Sequence, residues 1–152
     1  MDKDLLLTLA EQALYQDQTA IKTVLRQSKT IAIVGLSADA TKDSYKVAVY
    51  LQASGYRVIP VNPYHSFILG ERSYPDLYSI PENVDIVDVF RPNNDCLPIV
   101  NATIACKMAV IWFQLGIMNR EAINQAQLAG LTVIADLCIK IEAERYHIEP
   151  DK

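Results

Sequence analysis

Five short apolar runs divide the chain: TIAIV (30–34), RVIPV (57–61), VDIVDVF (84–90), MAVIWF (108–113) and LTVIA (131–135). Polar and apolar residues do not alternate in them, so each reads as a strand buried on both faces. Most are followed by a segment with helical rhythm. Ser44–Ser54 ends at Gly55, a C-cap residue. Asn94–Ala105 accommodates Pro98 in its first turn. Asn119–Ala129 opens on an N-cap asparagine and stops at Gly130, and Ile139–Arg145 is a short last helix. Ile68–Ile80, with Gly70, Pro75 and the following Pro81, predicts an extended connection or a single helical turn. Strands separated by helices in this way specify a parallel sheet covered on both sides, with right-handed crossovers. The expectation is α/β: a Rossmann-like, doubly wound five-stranded parallel sheet of order 3-2-1-4-5. Its crevice would then lie where the winding reverses, between the first and fourth strands.

Ahead of the first strand, Leu5–Leu25 reads as an extra N-terminal helix, which Gln16–Thr19 could interrupt. The chain is thus expected to form one globular unit over 30–152 with a helical extension over 1–29. Its 152 residues are 51% hydrophobic and 21% charged, enough for one compact core and too apolar for disorder. Net charge is −4 with no lysine- or arginine-rich run, which argues against general nucleic-acid binding. No apolar run approaches the roughly 20 residues of a membrane span. The opening MDKDLLLTLAEQ lacks the basic start of a signal peptide, so a cytoplasmic location is expected. Cys96, Cys106 and Cys138 are widely spaced and form no metal pattern, and reduced, buried thiols are the ordinary reading.

The topology sorts the loops by edge. GLSADATKDS, NPYHS, RPNND, QLGIMN and DLCIK follow strands and share the ligand edge; SGYR, PENV, CKM and AGL share the other. In the first loop, Gly35 allows a tight turn and close approach of a ligand, and Ser37 stands where GxGxxG would carry its second glycine. Lys42 and Ser44 could add a charge and a hydroxyl beside the free N–H groups of the next helix. The same loop also reads as an ordinary strand-to-helix turn bent at Gly35. After the second strand an NAD site needs an acid for the ribose hydroxyls; this chain has Val61-Asn62-Pro63 instead, a stiff turn that could wall a nucleoside. Arg91 and Lys140 lie on the ligand edge, as does Cys138, while Cys106 falls on the far edge. Gln114 would sit at the reversal point, where an amide could read a ligand. His65 and His147 lack a nucleophile at motif spacing, and Asp85, Asp88 and Asp136 form no spaced metal set, so neither catalytic nor metal-ligating residues are assigned. Asp85 and Asp88 read as local hydrogen-bonding groups around a buried strand.

The stretches IAIVGLS, KDSYKVAVYLQASGYRVIPVNP, ILGERSYPDLYSIPENVDIVDVFRP, IWFQLGIMNREA and AGLTVIADLCIKIE together resemble the stand-alone CoA-binding protein family. These are small proteins similar to the CoA-binding domain of the succinyl-CoA synthetase alpha subunit. The resemblance covers roughly Thr30 to Arg145. It implies a domain that holds coenzyme A, or acyl-CoA, through its ADP part. By motif position, Gly35 and Ser37 would line the pyrophosphate, with Lys42, Ser44 and Tyr45 at the helix start. Val61, Asn62 and Pro63 would wall the adenosine. Phe90, Arg91 and Pro92 would close the other side, and Gln114, Leu115 and Gly116 would lie near the pantetheine arm. Tyr64 departs from the pattern, standing where a basic residue could assist a phosphate. The resemblance implies binding and no reaction. Two other readings stay open: an oxidoreductase or acyl-CoA transferase component acting with a protein partner, or an interaction domain with a vestigial pocket.

Overall fold

The computed structural model describes residues 6–151. In chain order the elements are α1 (Leu9–Tyr15), α2 (Gln18–Gln27), β1 (Thr30–Val34), α3 (Asp43–Ala53), β2 (Arg57–Val61), β3 (Phe67–Ile68), β4 (Glu71–Arg72), β5 (Ile86–Val89), α4 (Cys96–Ala105), β6 (Val110–Phe113), α5 (Arg120–Leu128), β7 (Thr132–Ala135) and α6 (Ile139–Arg145). Short 3-10 turns precede β5 at Leu77–Ser79 and α4 at Asn93–Asp95. The single N-terminal helix expected from Leu5 is two helices, and Leu5 itself lies outside the described residues. Asp17 is the cause of the break: its carboxylate accepts from Ala20 N at 2.9 Å and starts α2 afresh. Thr8 and Glu11 close a reciprocal capping box on α1.

The α/β class and the five-stranded parallel sheet are as the sequence predicts, and Ile31, Ala32, Ile86 and Val87 are fully buried on its two faces. The strand order is not. The sheet runs β2-β1-β5-β6-β7, which is 2-1-3-4-5 in order along the chain, not 3-2-1-4-5. Pro60 supplies the physical reason. Its carbonyl faces the outer side of β2, accepting from Tyr74 N at 3.0 Å, and on that side it has no N–H to offer. A strand so placed belongs at an edge, and β5 instead pairs on the far side of β1, Ile31 opposite Ile86 and Val34 opposite Val89. The β2–β5 connection carries only the β3–β4 hairpin and a 3-10 turn, with no covering helix.

Helices cover both faces. Val47, Ala48 and Leu51 of α3 pack with Ile33, Trp112 and Ile139 on one; Val100 of α4 and Ile123 of α5 pack with Val87, Ile111 and Phe113 on the other. Because α3 and α4 lie on opposite faces, the winding reverses between β1 and β5. The crevice is therefore flanked by β1 and β5, the third strand of the sheet along the chain, where the sequence order placed the fourth beside β1. Asp85 accepts from Lys29 N at 2.8 Å and Thr30 N at 3.0 Å; it is a hydrogen-bonding group as expected, but its partners lie more than fifty residues away and its bonds are not local. No described helix is long and apolar enough to cross a membrane.

Candidate functional site

At the carboxyl ends of β1, β2 and β5, a cavity of about 490 Å3 brings together Gly35, Ser37, Val61, Asn62, Pro63 and Arg91. Gly35 is the pivot. Its φ is +93°, and its N–H donates to Val61 O at 3.0 Å, so the chain leaves β1 hard against β2. Asn62 ties the same loops from the other side: its amide donates to Leu36 O at 3.0 Å and accepts from Tyr64 N at 2.8 Å. The asparagine thus shapes the wall with a side chain committed to backbone. Ser44, nearly buried, accepts from Ser37 N at 3.0 Å and props the loop from within. Lys42 is the N-cap of α3 and makes no side-chain cap bond, which leaves the first-turn N–H groups of that helix without a local acceptor from the cap.

Arg91 reaches the rim, but it is not alone there. Its Nε and Nη2 donate to Asp95 Oδ2 at 3.0 and 2.7 Å, and both side chains are about half exposed, at 49% and 45%. Asp95 lines the cavity and was not anticipated from the sequence, although RPNND places it four residues on, a spacing that favours such a pair. Tyr64, the departure from the family pattern, also lines this cavity.

A second cavity of about 380 Å3 lies toward α3, the end of β6 and the start of α6. It gathers Phe90, Gln114 and Leu115 with Lys46, Cys138 and Lys140. Gln114 is therefore not at the reversal point but one strand beyond it, with β5 between. Lys46, on α3, is a second residue the sequence did not single out; it lies one turn past Lys42 and reaches the cavity that Lys42 does not. Tyr45, Pro92 and Gly116 line neither cavity. Tyr45 packs against the core on the α3 face, Pro92 accepts from Asp95 N at 2.9 Å and shapes the turn after β5, and Gly116 N donates to Asp136 Oδ1 at 2.7 Å. Lys42 and Ser44 also stand outside both linings, so of the fourteen sequence-derived residues the structure brings nine to the two cavities and uses others to support them.

Beneath the second cavity lies an isolated charge-capable group. Asp88, in the middle of β5, is fully buried; Oδ1 accepts from Gln114 Nε2, and Oδ2 has no partner. Burial pushes its carboxyl up to about 8, opposed only by the Gln114 bond. Cys138 lines this cavity and Cys106 lies at the opposite edge, both as the topology predicts. Cys96 is buried, and burial raises its thiol to about 11. Among the described residues no group of His, Cys, Asp or Glu could hold a metal ion.

A family model described as a CoA binding domain matches residues 29–144. An uncharacterized Bacillus subtilis protein, YneT, is 39% identical over 121 residues, 80% of this chain and 90% of that one. A solved structure of a hypothetical protein from Pyrococcus horikoshii superposes with a TM-score of 0.82 at 37% identity, covering 84% of this chain and 90% of its own. The dinucleotide-forming acetyl-coenzyme A synthetase 1 of Ca. Korarchaeum cryptofilum, 20% identical, shares the fold at a TM-score of 0.62 over 73% of this chain and 26% of its own.

Proposed function

This chain belongs to the CoA-binding domain family, and on that premise we propose that it binds coenzyme A or acyl-CoA through the ADP moiety. The observation that carries the reading is that two cavities open along the carboxyl end of the sheet. The first has a glycine-pivoted loop, a helix N-terminus nearby and a stiff Val61-Asn62-Pro63 wall, features that suit a pyrophosphate and a nucleoside. The second sets Phe90, Leu115 and Gln114 among Asp43, Lys46 and Lys140, and its apolar and amide part suits a pantetheine arm. The end of β2 offers Asn62 in place of the acid that dinucleotide sites use for ribose hydroxyls. Function here is binding by this chain, with any reaction supplied by a protein partner.

Thermal melting with CoA and with NAD tests this directly. CoA at about a hundred times its dissociation constant should stabilise the fold by roughly 2.7 kcal/mol and raise Tm by about 5–11 °C, with no shift from NAD. A shift with NAD and none with CoA would refute the assignment.

Arg91 and Asp95 give a finer test. As an exposed pair they contribute little to stability, ~1 kcal/mol or less. A guanidinium that also meets a pyrophosphate contributes roughly 1.5–3 kcal/mol to binding. Arg91→Ala should therefore weaken CoA binding about tenfold or more in calorimetric titration, at nearly unchanged Tm. Asp95→Ala removes the competing acceptor and should tighten it. Unchanged affinity in both variants would take this pair out of the site.

A further inference from the structure

The family match begins at residue 29, so α1 lies wholly before it. Yet α1 touches the ligand edge at two points. Gln16 Nε2 donates to Ala135 O at 2.9 Å and to Asp136 O at 3.3 Å, across about 120 residues of chain. Asp136 sits in the left-handed region at φ +59°, and its Oδ1 holds Gly116 N. That conformation costs energy in a residue with a Cβ, and Gln16 bonds the carbonyls on both sides of the turn. At the far end of the loop that carries Gly116, Glu11 receives both Nε and Nη2 of Arg120 at 2.9 Å, and Arg120 Nη2 also donates to Leu6 O at 2.8 Å. The Arg120 bonds bring the Glu11 carboxyl down to about 2.

The loop between these anchors is 114–119, which carries Gln114 and Leu115 into the second cavity. It leaves β6 and enters α5 at Arg120, with Asn119 capping that helix through Ala122 N. Its restraints include Gly116 N donating to Asp136 Oδ1, Ile117 N donating to Gln114 O at 3.0 Å, and Asn93, which accepts from Met118 N at 2.9 Å and from Asn119 Nδ2 at 2.7 Å. Two of its restraints, the Asp136 turn and the Arg120 exit, are thus fastened to α1.

We propose that α1 is a positioning element for the ligand: Gln16 and Glu11 hold the 114–119 loop so that Gln114 and Leu115 form the wall met by the arm of CoA. The inference rests on the CoA reading above and makes Gln16 and Glu11 specificity-determining residues. The nucleotide half of the ligand would lie in the first cavity, whose lining α1 does not enter. Their effect therefore falls on the arm and spares the nucleotide.

The experiment is calorimetric titration of the full chain with CoA and, separately, with adenosine 3′,5′-bisphosphate, which lacks the arm. Gln16→Glu keeps the size of the side chain but has no donor for the two carbonyls. Gln16→Glu and Glu11→Gln should each weaken CoA about tenfold, or roughly 1.4 kcal/mol, and leave the bisphosphate within about twofold. Hydrogen exchange should quicken at the Gly116 amide in both variants. Equal losses for the two ligands, or no loss for either, would overturn the positioning role. A wild-type chain that binds the bisphosphate but gains nothing from the arm would overturn it while leaving nucleotide binding intact. A wild-type chain that binds neither ligand would overturn the CoA reading and this inference with it.

Discussion

Asp88→Asn is expected to stabilise the protein strongly at pH 8.5 and by much less near pH 5. In the folded chain the Asp88 carboxyl holds its proton to about 8, because full burial disfavours its charged form. In the unfolded chain it ionises near 3.8. Between those values the native state binds a proton that the unfolded state has lost, so stability falls as pH rises. Each pH unit costs about 1.4 kcal/mol, and the full interval amounts to a loss on the order of 5 kcal/mol. Asparagine has no such ionisation. It can still accept from Gln114 Nε2, and its amide N–H2 takes the place of the oxygen that lacks a partner, so the two residues are nearly equivalent while Asp88 is neutral. Chemical denaturation from pH 5 to 8.5 should show a falling curve for the wild type and a flatter one for the variant. Glu142, also buried and also raised by burial, adds a slope of the same sign, so Glu142→Gln is the necessary second variant. Glu11 acts in the opposite sense: Arg120 lowers its carboxyl, and the stability it adds is lost only as pH falls below about 4.5 toward 2, outside this window. A wild-type curve that stays flat across the interval would mean that Asp88 ionises freely inside the fold.

The same residue shows where sequence reading runs out. The VDIVDVF run announces a buried strand, and Asp85 at its start behaves as a strand-end hydrogen-bonding group. Nothing in the run says that Asp88 faces Gln114, because that contact joins adjacent strands and appears only once β5 and β6 are paired. The strand order was misread as 3-2-1-4-5, although the run itself holds the signal that corrects it. A proline inside RVIPV demotes its strand to an edge, and an edge assignment leaves the third run no place beside it. The ligand-edge loops were legible because in a parallel sheet every strand-to-helix connection lies on one side. Side-chain partnerships have a local signature only at short range, and even those were passed over. The Thr8–Glu11 capping box and the Arg91–Asp95 pair follow from spacings of three and four residues. Gln16 with Asp136, and Arg120 with Glu11, join segments more than a hundred residues apart, and no local pattern encodes them.

Gly35→Ala should abolish CoA binding and cost the fold about 2–4 kcal/mol, the sum of two separate penalties. The first is conformational. At φ +93° a residue with a Cβ is strained wherever it sits. The second is steric. A Cβ at this position would stand 2.8 Å from Arg91 Cδ and 3.0 Å from Phe90 O. The arginine side chain is flexible and can move aside; the Phe90 carbonyl is backbone at the end of β5 and cannot move without disturbing the β1–β5 pairing, where Phe90 N donates to Val34 O at 2.9 Å. The two strands meet here at the point of winding reversal, so the glycine lets β1 turn away while β5 passes directly beside it. Moving Arg91 aside would also break its bonds to Asp95 and shift the rim of the first cavity. Binding is therefore expected to suffer more than stability. Gly130→Ala provides the comparison: its φ is +87° but nothing lies within 4 Å of the added Cβ, so it carries the conformational cost alone. Denaturation and CoA titration of both variants should show Gly130→Ala weaker in stability but intact in binding. Gly35→Ala should lose both. Equal stability losses in the two variants, with CoA affinity retained by Gly35→Ala, would mean that the close approach of β5 to Gly35 does not shape the site.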